Sequence, residues 1–254
     1  MGMHKPRLTT LADNIFAIAM TVLVIDIKVP VLVGEVINNR QLAGELLHLA
    51  PIFTSYILSF AVLATYWMSH HVVLSVFAKN IDKKLTHLNV PFLMAVTLIP
   101  FSSHLLGAYP STQVAVIFYA LNIIVIALLL LLMFRYVLTS KTIKNPEEAY
   151  PREVRFIYVR ILVPLFCAIL AIVLSVVGTI YSIYFLVFSV IFNLIPGGVH
   201  LIGDLLKKIY SVNKNNIKDN SMRSRAENPK RKSRNSAMKK SDKISARTVK
   251  TALS

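Results

Sequence analysis

Residues 114–134, VAVIFYALNIIVIALLLLLMF, run for 21 positions without a charged side chain. About 20 such residues, wound as a helix, span the ~30 Å hydrocarbon core of a bilayer. A backbone in lipid must satisfy its own hydrogen bonds, which leaves helices or closed barrels as the spanning structures. Barrel strands alternate apolar and polar residues, and this run does not. A chain carrying it is therefore committed to membrane helices.

The remainder of the chain repeats the pattern. Hydrophobic residues make up 55% of 254 positions, above the ~45–50% of soluble domains. They fall in blocks at residues 9–29, 46–77, 85–106, 112–137, 156–177 and 180–206, each long enough to cross a bilayer. The first block is too long for a cleavable signal and lacks its small-residue pattern. The expected fold class is an all-α integral membrane protein with six transmembrane helices per chain. Residues 1–206 form the membrane domain and 207–254 a basic tail.

Charge placement orients the spans. With the N-terminus inside, Lys5, Arg7, Lys79, Lys83, Lys84, Arg135, Lys141, Lys144, Arg152, Arg155 and Arg160 all fall on the cytosolic side; only Lys28 and Arg40 fall outside. The loops GAYPS (107–111) and GTIYS (178–182) carry no charge. Both termini are expected in the cytosol of a multi-pass cell-membrane protein. From Lys207 onward, fifteen Lys and Arg stand against Asp219, Glu227 and Asp242, so most of the net charge of +16 belongs to the tail. Such a polar segment cannot build a core. A solvated, disordered cytosolic tail is the first reading, and attraction to anionic lipid of the cytoplasmic leaflet, worth about 1 kcal/mol per basic residue near the surface, is the second. No recognition helix or aromatic platform accompanies the charges, so no specific nucleic-acid partner is expected.

Enzyme classes find little support. The single cysteine, Cys167, precludes an intrachain disulfide and reads as a small apolar residue within a helix. His70 and His71 are neighbours, so they project about 100° apart on a helix and cannot share one ion unaided. No carboxylate lies within a turn of them to complete a zinc site. There is no GxSxG elbow, no Gly-rich phosphate loop and no membrane-embedded carboxylate pair. The expectation is a non-enzyme with no cofactor.

Polar side chains inside lipid must face protein or water and are candidates for function by default. They cluster at Arg7, Asp13 and Asn14 at the head of the first span, in LATYWMSHH (63–71), in LTHLN (85–89), and in PFSSHLLGAYP (100–110). At about 100° per residue, Arg7, Leu11, Asn14, Ile18, Thr21, Val22, Ile25 and Val29 share one stripe of the first helix, with Asp13 turned away from it. On spacing alone, such a stripe is ordinary packing more often than a pore wall. Physically it suits a pore. Branched side chains at successive turns make a narrow dry constriction, and a hydroxyl among them offers an oxygen to a passing cation.

The segment R-x3-L-A-D-N at 7–14 resembles the R-x3-F-S-D signature of the transmembrane protein 175 family of potassium channels. SFAVLATYWMSHH (59–71) resembles that family's second helix, and HLNVPFLMAVTLIPFSSHLLGAYP (87–110) its third. The resemblance implies a six-helix unit present once, assembling as a homotetramer whose four first helices line a potassium-selective pore. It places the constriction at Ile18, Thr21, Val22 and Ile25, with Asn14 and Asp26 at the pore mouths. It also implies a buried polar hub of Arg7, Asp13, His71, His87 and Asn89 fixing the first helix, and no bound ion beyond permeating K⁺. The sequence departs from the signature at Leu11, where the family has Phe, and at Ala12, where it has Ser. A secondary transporter and a non-conducting scaffold with a lipid-binding tail are the competing readings. A transporter usually shows internal repeats and midplane charges, and neither is evident here.

Overall fold

The computed structural model describes residues 5–25, 27–31, 38–140, 142–143 and 151–194. Asp26, residues 195–206 of the last apolar block and the basic tail at 207–254 lie outside the described residues.

The described chain is built of helices: α1 (Lys5–Ile25), α2 (Asn39–His48), α3 (Ala50–Val72), α4 (Lys83–Thr97), α5 (Ile99–Ala108), α6 (Gln113–Thr139), α7 (Pro151–Ser175) and α8 (Thr179–Leu194), with a π-helical turn at Val73–Phe77 extending α3. Taking α3 with its π turn, and α4 with α5, five helical stretches are long and apolar enough to cross a membrane. α8 is apolar, but Thr179–Asn193 is shorter than a span.

Two of the expected spans are each divided. The block at 46–77 is entered by a separate helix, because Asn38 and Gln41 form a capping box that starts α2 at Asn39. The chain then turns at Leu49, and Pro51 sits in the first turn of α3, where its missing N–H is harmless. In the block at 85–106, Pro100 occupies the same early position in α5, and α4 ends at Thr97, capped by Leu98. Pro91 and Pro164 lie inside α4 and α7. Each removes one backbone donor, releasing the carbonyl four residues earlier.

α6 and α7 pair closely, and α8 packs mainly on α7 and also on α3. α1 lies against α3, α4 and α5. Lipid gives little hydrophobic drive between helices, so close packing and buried hydrogen bonds hold such a bundle. Several core polar groups are paired accordingly. Ser59 and Tyr119 join α3 to α6 at 3.0 Å, and Ser103 Oγ donates to the carbonyl of Ser55 at 3.1 Å. The side chain of Asn122 meets Ser102 Oγ at 3.2 Å, and Ser182 Oγ donates to the carbonyl of Ala171 at 2.8 Å. Gly107 allows the closest crossing: a Cβ there would stand 2.5 Å from Ser55 Oγ and 3.0 Å from Ile52 Cα.

Candidate functional site

α1 starts with Pro6 in its first turn and carries no further proline or glycine through Ile25. Pro30 follows its end, where a helix cannot resume. Leu8, Ala12, Phe16, Ala19 and Leu23 are its buried residues, all on one face. Ala12 and Phe16 are 0% and 1% exposed, whereas Ile18 and Ile25 on the opposite face are 61% and 71% exposed. Arg7, Leu11, Asn14, Thr21, Val22 and Val29 are exposed as well. The stripe drawn from periodicity is therefore the face that α1 turns away from its own chain. Ile15, half-buried, packs at one edge of the inner face. Of the five candidate spans α1 is the least buried.

Exposure puts the Thr21 side chain on that outward face; its hydroxyl donates to the carbonyl of Ile18 at 2.9 Å. The donor is thereby used, and the oxygen keeps lone pairs for another partner. Beside Ile18 and Val22 lies a groove of about 400 Å³, lined also by Ala19, Thr97, Pro100, Phe101 and His104.

The polar residues expected in one hub fall in two separate contacts. Asp13 is half-buried, and its Oδ1 accepts a hydrogen bond from Trp67 Nε1 at 2.8 Å. His71 is exposed, its ring 6.0 Å from that of Trp67. The second contact is internal: His70 Nε2 and Asn89 Oδ1 are 2.7 Å apart and buried. The His70 ring stacks on Phe92 at 4.9 Å and lies 6.1 Å from Phe16 of α1. His70 rather than His71 thus holds Asn89. Arg7 and His87 are exposed, and among the described residues no ion pair joins Arg7 to Asp13. The physical reason is the 100° step between adjacent helical residues: α3 presents Ser69 and His70 inward, leaving Trp67 and His71 on the outer side.

Two contributors were not expected from the residues alone. Trp67 has an indole N–H that can only donate, and a donor beside an unpaired carboxylate is the signal that was available. Lys5 carries no such signal. Its Nζ donates to the carbonyls of Ser75 (3.0 Å) and Ala78 (2.7 Å), across the π turn that ends α3. Last-turn carbonyls lack helical partners and favour a cation, so the start of α1 is tied to the end of α3.

Residues 7–100, which hold α1 from Arg7 onward and the Asp13–Trp67 and His70–Asn89 contacts, match the family described as Endosomal/lysosomal potassium channel TMEM175. A potassium channel of Chamaesiphon minutus is 31% identical over 159 residues, a match spanning 59% of this chain and 77% of that protein. The chain belongs to the TMEM175 family. A potassium channel of Streptomyces collinus is 34% identical over 130 residues, covering 48% of this chain and 59% of its own length. Among solved structures, a lysosomal potassium-selective channel TMEM175 homolog from Chamaesiphon minutus superposes with a TM-score of 0.62 at 27% identity. That match covers 74% of this chain and 95% of the homolog. This TMEM175 member is accordingly a helical membrane protein.

Proposed function

We propose that this chain forms a passive potassium channel. Four copies assemble around an axis lined by α1, with six membrane helices per chain and both termini in the cytosol. The observation that carries the reading is the outward face of α1. Ile18, Val22 and Ile25 at successive turns, with Thr21 between them, are large or hydroxyl side chains on the exposed face of α1. Family membership and the potassium channels among its relatives support the same reading.

Four isoleucines converging at Ile18 make a ring that excludes water, so this ring limits conduction. Thr21 supplies oxygens to a partly dehydrated cation, and Asn14 stands at one mouth. The deciding experiment is a reversal potential measured with purified protein in liposomes under a potassium gradient. It should follow the potassium equilibrium potential. A reversal potential that tracks a second, coupled ion would make the protein a transporter, and silent bilayers would make it a scaffold.

A further inference from the structure

Arg160 is the one buried arginine among the described residues, 9% exposed and belonging to neither the outward stripe nor its polar neighbours. It lies within α7, in contact with α3. Its Nη2 reaches the sulfur of Met68 at 3.5 Å, a weak acceptor. Its Nε is buried without a partner. That buried Nε is the donor left for a ligand. Among the described residues the other carboxylates are engaged or exposed: Asp13 accepts from Trp67, Asp82 caps α4 and accepts from Tyr136, Glu45 is exposed on α2, and Glu153 is exposed two turns earlier on α7. A guanidinium cannot shed its charge, and a buried one without an anion is strongly disfavoured.

The depth of the group says what can reach it. Helical side chains lean toward the N-terminus of their helix, and the guanidinium of Arg160 sits 5.5 Å from the ring of Phe156, one turn earlier. Phe156 opens the apolar part of α7, directly after the polar PREVR at 151–155. The charge therefore lies at the level where lipid tails give way to headgroups, reached by snorkelling. The abundant anion at that level is a phosphodiester, and arginine binds phosphate through paired N–H donors.

We propose that Arg160 holds a phosphate oxyanion at the junction of α3 and α7, supplied by a membrane phospholipid. The site needs only that α7 begins at a membrane surface, so it is independent of where the pore runs.

The test uses the full-length protein, delipidated in detergent, with Arg160→Met and Arg160→Lys beside it. The probes are dioleoylphosphatidylglycerol, dioleoylphosphatidylcholine, phosphate-free dioleoylglycerol and inorganic phosphate. Bound lipid per chain is read by native mass spectrometry, and protection by thermal melting. Both phospholipids should bind and stabilise the wild type, and dioleoylglycerol should not. Arg160→Met should lower phospholipid affinity about tenfold or more, the worth of a hydrogen bond to a charged group. Arg160→Lys, which keeps the charge without the fork, should fall between. Inorganic phosphate protecting the wild type but not Arg160→Met, without a lipid preference, would keep the phosphate site and assign it to the free ion. Equal phospholipid affinity in wild type and Arg160→Met, or equal protection by dioleoylglycerol, would overturn the proposal. So would an Arg160→Met protein that loses its assembly with lipid affinity intact, since the partner would then be a carboxylate of another copy. If Arg160→Met does not fold, the wild-type and Arg160→Lys titrations decide. Potassium flux in the same liposomes tests the channel reading separately.

Discussion

The bond between Trp67 and Asp13 ties the outward-facing helix to its neighbour α3, and its contribution can be isolated. Trp67→Phe keeps an aromatic ring but removes the donor that stands 2.8 Å from Asp13 Oδ1. A hydrogen bond to a charged group contributes about 1.5–3 kcal/mol. Trp67 is 37% exposed, so the lower end, about 1.5 kcal/mol, applies. For a chain of this size that corresponds to a melting shift of roughly 3–6 °C. Asp13→Asn retains an acceptor oxygen without the charge, so its loss should be smaller. The assay is a double-mutant cycle on detergent-solubilised protein at one fixed scan rate. The pair should show a coupling of about 1 kcal/mol, with the double variant melting close to Trp67→Phe alone. Losses that simply add, within about 0.5 kcal/mol, would show that the two side chains do not act together and that α1 is held by apolar packing instead.

Other expectations follow from the same geometry. Gly107→Ala should destabilise by about 1–3 kcal/mol, because its Cβ meets the backbone of Ile52 as well as a serine hydroxyl. Gly44→Ala, with nothing within 4 Å of the new Cβ, should be neutral or raise the melting temperature. Ile18→Asn should increase current and admit sodium, and Thr21→Val should reduce potassium preference with the fold intact. Both are read as reversal potentials in mixed K⁺/Na⁺ solutions, and wild-type selectivity in both would remove α1 from the pore. Ile15→Asn buries an amide at the packed edge and should cost roughly 1–3 kcal/mol, seen as poor expression rather than altered selectivity. Reporters fused after Ser111 and after Ser254 should report opposite sides of the membrane; the same side for both would overturn the proposed topology.

Much of the fold was legible because membrane helices announce themselves by length and apolarity. The inner and outer faces of α1 could be read from a 100° step. What escaped depended on local stops and on partner choice. Asn38, Gln41 and Pro51 end one apparent span early and begin another, and hydropathy averages over such caps. Pro100 divides α4 from α5 for the same reason. The polar hub was half legible: the residue types that need partners were visible, but which of two adjacent histidines turns inward depends on helix phase. His70 and His71 differ by one residue and by burial against exposure. Trp67 gives little warning of its role, because an indole reads first as apolar bulk. Lys5 was invisible in principle, since its acceptors are backbone carbonyls some 70 residues away.

That lysine has a mechanical consequence. A helix clamped at its first residue behaves as a lever hinged there. With a rise of 1.5 Å per residue, Ile18 stands about 20 Å and Ile25 about 30 Å from the hinge. A 5° swing therefore moves Ile25 by roughly 2.6 Å, Ile18 by about 1.7 Å and Asn14 by little more than 1 Å. Displacement grows along the rod, so in the proposed pore a small swing would dilate the far rings first and leave the near mouth almost still. Spin labels at Asn14 and Ile25 would report this as unequal spreading of distances between copies, and Lys5→Met, by freeing the hinge, should make the two spreads alike.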